Sequence, residues 1–417
     1  MALYLPLEIL YFIFTDVVHD LLKRGKARTA HRLLLVSTTV RAIVEPLLYR
    51  TIKGYDARVR YLFQGVIDRP QLARWIKEFH LEDEEWDWTY SDRDGWDSRS
   101  WEGPGRRLVK PQTDVESEKA WSERLKAAAE ILKSKFSANG ERIRSSRDYW
   151  LRRLEKSHEE AMRWTLLVQL SNITSFTFKV RRGEFGEMAT LLRLPLLENL
   201  NFIVAVGSGG EWAADVSPEE VLESIISCST QLKSLKFDNI GGSTSFPVEH
   251  DAPRLKRILE QHAQTLMHLD IVCGIDDAKD WRMEQECTDI QGCFGSMRNF
   301  TQLKELSIQL EVLLGNPADN EHRLQDVLPP QLESLILLNL PDYHGKDDSD
   351  RIWEEDDNIM PLFQELAKAA EDGQSFASLQ SVSMYISRKD RFNPPDPGQY
   401  EDEGGILGQS RIYFGWF

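Results

Sequence analysis

The sequence predicts a mixed α/β protein, in which a small N-terminal helical module precedes helix–strand units that stack into a parallel sheet. Two observations predict this fold class. Apolar residues with helical spacing fill the first fifty residues, and a Leu-x-x-Leu-x-Leu type of signal recurs eight times along the rest of the chain. At 417 residues the chain is long enough for one elongated array or for about two to three globular domains.

The first fifty residues have the pattern of three short helices. Pro6 suits the first turn of a helix, and apolar residues then recur every four positions from Ile9 to Val17. After a second apolar stretch, Ser37 is a favoured N-cap for a third helix, which Pro46 is predicted to interrupt. So small a module cannot bury all its apolar residues, and part of its surface is predicted to meet a partner or the rest of the chain.

Charge is distributed unevenly along the chain. Residues 1–80 contain 13 Lys and Arg against 7 Asp and Glu, a net charge of +6. The whole chain has a net charge of −16, so residues 81–417 have a net charge of −22. The acidic bulk argues against a general nucleic-acid binder, because phosphate contacts need clustered Lys and Arg. The basic first segment is instead predicted to attract an acidic partner.

Cysteine usage and hydropathy favour a reducing compartment and no membrane span. The four cysteines form no C-x-x-C pair, so neither a disulfide framework nor a zinc site is predicted. The apolar start has no basic lead-in and is interrupted by Glu8 and Asp16, unlike a signal peptide. No other stretch approaches the roughly 20 apolar residues that a membrane-spanning helix needs.

Two stretches near the start carry a family resemblance. LPLEILYFIF and LLLVSTTVRAIVEPLLYRTI resemble the F-box, with its Leu-Pro-x-Glu-Ile opening and Val-Ser-x-x-x-Arg centre, over residues 3–52. Many members carry Trp just before the central Arg, where this chain has Val40. The alternative is an N-terminal helical cap on a larger domain. The matching positions are Leu5, Pro6, Glu8, Ile9, Ile13, Leu35, Val36, Ser37, Arg41, Pro46, Leu48 and Tyr49.

The resemblance implies partners and a setting. In that family the module binds a small Skp-type adaptor, which bridges to a cullin ubiquitin-ligase scaffold. All the matching positions except Arg41 are therefore adaptor-binding candidates, and Leu5, Pro6 and Ile9 are implied to touch the adaptor. Skp-type adaptors are acidic, in agreement with the positive charge counted above. The stretches LYRTI and ARWIKEFHLE resemble the divergent F-box families of filamentous fungi, which implies a cytoplasmic or nuclear setting.

The remainder of the chain repeats a helix followed by a strand. Each repeat ends in alternating apolar residues suited to a short strand. Most repeats are preceded by an amphipathic helical stretch, such as SPEEVLESIISC with Ser217 as N-cap and Pro218 at the first helical position. Such units are expected to stack into a parallel sheet. The last apolar positions of the eight copies are Leu81, Phe178, Phe202, Phe237, Ile271, Ile308, Leu337 and Met384.

This pattern resembles leucine-rich repeats, whose strands line the concave face of a solenoid. From Phe178 onward the copies are spaced 24 to 47 residues apart, longer and less regular than the about 20 to 29 residues of that family. No Asn or Cys holds the fixed place after the strand, so the predicted solenoid is irregular. The alternative is a doubly wound α/β domain, whose βαβ units give the same alternation.

The predicted organisation has five parts. Residues 3–52 form the F-box-like module, 53–82 a linker with the first repeat strand, 83–154 a Trp-rich and helical insertion, 155–388 the repeat array and 389–417 a C-terminal tail. The Trp-rich tract of the insertion is expected to fold back on the first repeat or to anchor a partner. Two helices are predicted after this tract, over residues 116–136 and residues 142 to about 170. The first of them carries one apolar stripe, which consists of Trp121, Leu125, Ala128, Leu132 and Phe136. The apolar end of the tail is expected to dock onto the final repeat, and the alternative is that it offers a strand for an interaction.

The sequence carries none of the common hydrolase, zinc-protease or phosphate-loop motifs, and it implies no bound cofactor. The expected function is that of a non-enzymatic substrate receptor in a Skp-cullin-F-box type ubiquitin ligase. Its repeats would capture a target protein and bring a lysine of that target close to the charged conjugating enzyme. The alternatives are a repeat scaffold without a ligase role and an enzyme on an α/β domain.

Overall fold

We describe the fold from a computed structural model of the chain. Two compact units make up the chain, the first formed by Met1–Thr177 with Thr190–Leu197 and the second by Phe178–Ala189 with Glu198–Phe417. The architecture is mixed α/β with a large parallel sheet, which confirms the predicted class. The five predicted parts of the chain stay predictions. The structure describes residues 6–54, 56–81, 118–138, 144–156, 159–181, 191–205, 217–240, 248–273, 288–315, 323–339, 356–371, 376–386 and 413–416.

Three short helices open the first unit, as the sequence predicts. Ser37 is the N-cap of the third helix, because its hydroxyl oxygen accepts the backbone N–H of Val40 at 3.1 Å. A 3-10 turn, Leu33–Leu35, lies between the second and third helices. The helices are α1 (Leu7–Lys23), α2 (Ala27–Arg32) and α3 (Thr38–Leu48).

Helix α1 ends at a glycine in the left-handed region. Gly25 has a φ of 68°, a conformation that residues with a Cβ rarely adopt. Its N–H donates to the carbonyl of Leu22, and the N–H of Lys26 donates to the carbonyl of Leu21 at 2.8 Å. This pair of bonds is a Schellman motif, which satisfies the last carbonyls of α1 and turns the chain toward α2.

Pro46 does not interrupt α3, so that sequence prediction is wrong. The helix continues through Pro46 to Leu48. Proline removes one N–H donor from the helix ladder, but the N–H of Tyr49 still donates to the carbonyl of Glu45 at 3.3 Å. Packing offsets the missing bond, because Leu48 is buried in the core of the module.

The three helices share a small core. Half-buried side chains, among them Phe14 of α1, surround its buried members. Although most of the 17 residues of α1 are apolar, it buries only Val18. The core therefore leaves much of the apolar surface of α1 uncovered. Its buried residues are Val18, Ala30, Val40, Val44 and Leu48.

Further helices and the first strands complete the first unit. β1 and β2 pair in parallel. The stripe predicted on α6 is buried, and its Trp121 packs edge-on against Phe63 of α4 with ring centroids 6.2 Å apart. The elements are β1 (Thr51–Gly54), α4 (Asp56–Asp68), α5 (Gln71–Trp75), β2 (Glu78–Leu81), α6 (Glu118–Ala138), α7 (Arg144–Glu155) and α8 (Glu159–Leu167). β3 (Ser175–Arg181) begins in this unit, and its residues from Phe178 onward belong to the second unit.

The sequence pattern predicts one helix over residues 142–170, but two helices, α7 and α8, occupy this stretch. The rings of Trp150 and Trp164 pack edge-on with centroids 6.5 Å apart. Along one continuous helix these residues would lie about 21 Å apart. The helices therefore fold back on each other, and both tryptophans are buried. The Trp-rich tract before α6 lies outside the described residues.

A buried carboxylate links α3 to the turn after α4. Glu45 is 8% exposed, and one of its oxygens accepts from the Arg69 guanidinium at 2.5 Å. Arg41 lies 3.6 Å from the other oxygen. Burial by itself raises the pKa of Glu45, but the hydrogen bonds and positive charges of Arg69 and Arg41 outweigh it and hold the pKa below its usual value. The carboxylate is therefore charged at neutral pH.

Replacing Glu45 by glutamine is expected to lower the free energy of unfolding by about 1–2 kcal/mol, because the Arg69 guanidinium loses a charged acceptor. The measurement is thermal unfolding followed by circular dichroism. Asp20→Asn is the matched control, since Asp20 pairs with Arg24 at 2.8 Å but both side chains are exposed, and it should change nothing measurable. Equal effects of the two substitutions would contradict the assigned role of Glu45.

The second unit repeats strands and helices in the predicted alternation. Ser217 caps its first helix, because its hydroxyl oxygen accepts the N–H of Glu220, and Pro218 is the first helical residue, as predicted. The strands are β4 (Asn199–Ala205), β5 (Ser234–Ile240), β6 (Val248–Asp251), β7 (His268–Cys273), β8 (Thr288–Gln291), β9 (Glu305–Gln309), β10 (Ser334–Asn339), β11 (Ser381–Ile386) and β12 (Tyr413–Trp416). The helices are α9 (Pro218–Ile226), α10 (Ala252–Glu260), α11 (Leu310–Leu314), α12 (Leu324–Val327) and α13 (Asp356–Glu371).

Strand order in the second unit follows chain order. The sheet runs β4, β5, β7, β9, β10, β11, β12, and neighbouring strands are parallel. β6 and β8 form a separate parallel pair. The predicted docking of the C-terminal segment is confirmed, because β12 pairs with β11. Among the described strands of this unit the order does not reverse, whereas a doubly wound sheet has a reversal point.

The strands of this sheet have one buried and one open face. On β7, Leu269 and Ile271 are buried, whereas His268 and Asp270 are partly exposed. The register aligns equivalent positions of neighbouring strands, so the buried side chains form one continuous apolar layer. We name the open side the polar face. It comprises Asn199, Asn201 and Ile203 on β4, Ser234, Lys236 and Asp238 on β5, His268, Asp270 and Val272 on β7, Glu305 and Ser307 on β9, Ser334, Ile336 and Leu338 on β10, and Ser381 and Ser383 on β11.

Candidate functional site

The helical module exposes large apolar side chains. Leu35 is 85% exposed, Phe12 70% and Val36 64%. Single exposed apolar residues are common in proteins, but a group of them on one small module is typical of an interaction site. We name this group the apolar surface. It consists of Leu7, Ile9, Tyr11, Phe12, Ile13, Val17, Leu22, Leu35 and Val36.

The periodicity of α1 explains why these residues are exposed. Phe14, Val18 and Leu21 pack toward the core of the module. Ile9, Ile13 and Val17 recur every four positions and therefore share a different side of the helix. Two short helices cannot cover a helix that is apolar on several sides. The stripe predicted from the sequence is thus present, and it lies at the surface.

A second part of the apolar surface comes from the turn between α2 and α3. Leu33 and Leu34 pack on the core, so the next residues, Leu35 and Val36, point outward. The chain then extends at Ser37, whose φ is −163° and ψ 165°, before α3 begins. This cap fixes the end of the turn and with it the place of the two exposed side chains.

The predicted adaptor-binding residues fall into three groups. Leu5 lies outside the described residues. Pro46 and Tyr49 are half-buried and Leu48 is buried, so these three shape the module rather than form its exposed surface. Adaptor binding by these positions stays a prediction. The exposed positions are Pro6, Glu8, Ile9, Ile13, Leu35, Val36 and Ser37.

Sequence reasoning missed part of the apolar surface. Tyr11 and Phe12 lie off the four-residue stripe, and their rings pack edge-on with centroids 6.5 Å apart. The available signal was the composition of α1, which is apolar on more sides than one neighbour can cover. Leu7 and Leu22 were missed for the same reason.

Positive charge surrounds the apolar surface in the sequence. Residues 6–54 contain eight Lys and Arg against four Asp and Glu, a net charge of +4. Lys23, Lys26 and Arg28 are exposed at the turn between α1 and α2, and Arg32 is exposed just before Leu33–Leu35. An apolar surface on a basic module is complementary to an acidic partner with an apolar groove.

The polar face of the second unit is the other candidate surface. Lys236 Nζ lies 3.2 Å from an Asp270 carboxylate oxygen, and His268 Nδ1 lies 2.9 Å from a Glu305 carboxylate oxygen. All four side chains remain at least a third exposed. Parallel sheets usually have both faces covered by helices. A parallel sheet that keeps one face open presents that face for binding.

The most buried ionisable groups in the described residues lie in the second unit. His250 Nδ1 is 2.8 Å from a Glu219 carboxylate oxygen, and both side chains are 2% exposed. Burial, with the nearby carboxylates of Glu219 and Asp238, raises the pKa of the Cys273 thiol far above its usual value. The thiol stays protonated, which opposes its use as a nucleophile. Glu219, His250 and Cys273 are therefore suited to stabilising the fold.

No family model, curated protein or solved structure matches the chain. Within the described ranges, no helix is long and apolar enough to cross a membrane. The same part of the chain holds no group of three or more His, Cys, Asp or Glu residues arranged to hold a metal ion. The functional argument therefore rests on the apolar surface and the polar face.

Proposed function

We propose that this chain is the substrate-recognition subunit of a Skp-cullin-F-box type ubiquitin ligase. One observation carries the proposal. The positions that match the opening and centre of the F-box pattern coincide with the exposed apolar residues of the module, such as Ile9, Ile13 and Leu35. A purely structural cap would be expected to turn such residues inward.

The energetics of the apolar surface favour adaptor binding. Full burial of an Ile or Leu side chain contributes about 1.5–3 kcal/mol, and a few such residues commonly dominate an interface. The favourable sum has to exceed the cost of association, about 4–15 kcal/mol. Several exposed side chains buried together are enough for stable binding. The positive charge of the module would further accelerate association with an acidic adaptor.

The second unit supports the receptor part of the proposal. Its strand order follows the chain, as in a repeat solenoid, and its sheet keeps a polar face open. We assign to this unit an irregular leucine-rich-repeat-like array that holds the target protein. The ligase function then requires only proximity, because the conjugating enzyme supplies the chemistry.

Ile9→Asp combined with Ile13→Asp is expected to weaken binding to a purified Skp-type adaptor by at least about 100-fold, because two carboxylates would be buried in an apolar contact. Biolayer interferometry with immobilised adaptor gives the dissociation constants. Ile336→Asp is the matched control, since Ile336 is similarly exposed but lies in the second unit, and it should bind like the wild type. Circular dichroism should show the same fold for all three proteins.

The outcomes separate the two candidate functions. If the wild type does not bind the adaptor, the F-box assignment is wrong and the chain is a repeat protein with a helical module. If the adaptor binds but a cullin does not join the complex in size-exclusion chromatography, a scaffold without a ligase role is favoured. Joint elution of all three proteins supports the ligase.

A further inference from the structure

The first two turns of α1 take no part in the described core of the helical module. That core receives Phe14, Val18 and Leu21 from α1, and no side chain from Leu7–Ile13. These seven residues form about 10 Å of helix. Five of them are exposed apolar residues, and only Leu10 is half-buried. The segment therefore extends past the core, and we name Leu7–Ile13 the projecting turns.

Apolar side chains surround the projecting turns. Successive residues of an α-helix are rotated by about 100°, so Ile9 and Tyr11 lie about 160° apart, almost on opposite sides. Phe12 lies between them, about 160° from the core-facing Phe14. The exposed fraction is 44% for Ile9, 48% for Tyr11 and 70% for Phe12. A partner with a flat surface could cover Ile9 or Tyr11, but not both.

The two sides are joined by a continuous apolar surface. Ile9 and Phe12 are three positions apart, close enough for their side chains to meet. The rings of Phe12 and Tyr11 pack edge-on with centroids 6.5 Å apart. Tyr11 is in turn four positions from Leu7. The side that carries Ile9 and Ile13, which match the F-box pattern, therefore continues around the helix through the aromatic pair.

Positive charge lies at the other end of α1. Residues 19–32 contain five Lys and Arg against one Asp, a net charge of +4 that equals the net charge of residues 6–54. Within the described part of the module, only Arg24 among these five cations pairs with a carboxylate, that of Asp20. Lys23 lies about 15 Å beyond Ile13 along the helix axis. The complementary partner has an apolar cleft and, about 15 Å from it, acidic groups.

We propose that the adaptor encloses the projecting turns in an apolar cleft that contacts α1 on both sides, with Phe12 at the bottom of the cleft and acidic groups of the adaptor against residues 19–32. The inference rests on the proposed adaptor-binding function. It adds Tyr11 and Phe12, which the F-box pattern does not include, to the binding residues. Aromatic side chains that become fully buried at an interface commonly dominate its affinity.

The test is binding of the full-length chain to a purified Skp-type adaptor, measured by biolayer interferometry. Tyr11→Ala and Phe12→Ala are each expected to raise the dissociation constant at least about tenfold. Alanine favours the helix, and neither residue belongs to the core, so circular dichroism should show an unchanged fold. Tyr61→Ala is the matched control, since Tyr61 of α4 is 65% exposed outside the module. It should bind within about twofold of the wild type.

A second variant tests the charged part of the contact. Lys23→Gln combined with Lys26→Gln is expected to lower the association rate constant about threefold at low salt and to leave the dissociation rate constant unchanged. An association rate equal to that of the wild type would refute the contact between residues 19–32 and acidic groups of the adaptor.

The outcomes separate this inference from the proposed function. If the wild type binds and Ile9→Ala weakens binding but Tyr11→Ala does not, the adaptor contacts one side of α1 and the cleft alone is refuted. If the wild type does not bind the adaptor, the ligase role is refuted and the cleft with it. If Tyr11→Ala leaves adaptor binding unchanged but converts a dimer of the free chain into a monomer in light scattering, this side of α1 binds a second copy instead.

Discussion

Phe237→Ala is expected to lower the free energy of unfolding of the second unit by about 3–5 kcal/mol. Phe237 is fully buried in β5, and its ring centroid lies 5.9 Å from that of Phe202 on β4. The register also aligns it with Ile271 of β7. Alanine would leave a cavity in the middle of the apolar layer, bounded by strands that cannot close it without breaking their hydrogen bonds.

Hydrogen exchange with mass spectrometry measures this effect locally. Protection should fall in β4, β5 and β7 and remain unchanged in α1 and α3, because the helical module has its own core. Lys236→Ala is the matched control, since it changes the adjacent residue on the open face, and it should leave protection near that of the wild type. Adaptor binding by Phe237→Ala should match that of the wild type. Loss of protection in the helical module would contradict separate cores.

Glu219→Ala is expected to destabilise the second unit by about 3 kcal/mol. The Glu219 carboxylate at the start of α9 holds His250 of β6 in a site where both are nearly inaccessible to water. Alanine would deprive a buried imidazole of this acceptor, and breaking one member of a buried pair is costly. Glu220→Gln is the control, because Glu220 makes a partly exposed ion pair with Arg254 and should contribute little.

The Glu219 effect should depend on pH in a defined direction. Burial by itself raises the pKa of Glu219, but bonds from His250, Ser217 and the backbone outweigh it and hold the pKa below 4.5. The unfolded chain therefore takes up a proton more readily, so the stabilisation is present above about pH 4.5 and is lost as pH falls through the folded-state pKa. Thermal unfolding of wild type and Glu219→Ala should converge in acid. A difference that grows in acid would contradict this assignment.

Local sequence signals predicted the repeating part of the fold. The eight repeat signals all end in strands, and Ser37 and Ser217 cap helices as predicted. These features depend on residues close together in the sequence, where periodicity and capping chemistry are strong. The prediction that Pro46 breaks helix α3 was wrong, because the packing of Leu48 outweighs the tendency of proline to end a helix.

Features that depend on distant residues could not be predicted. The hairpin of α7 and α8 depends on two tryptophans meeting across a turn, and the pair of Glu219 and His250 joins residues far apart in the chain. Periodicity identified the stripe of α1 but not that it is uncovered, because exposure depends on what the other helices can reach. Prediction of the polar face would have required the register of six strands, which the alternation within a single strand does not give.

The agreement between strand order and chain order in the second unit has an evolutionary consequence. Because each strand of the sheet pairs with the sheet strand next in the chain, duplication of one helix–strand unit adds a strand without separating strands that must find each other elsewhere. Each added or deleted unit changes the width of the open face by about 4.8 Å. Related chains can thus acquire a wider or narrower footprint by gene duplication, while the helical module remains unchanged.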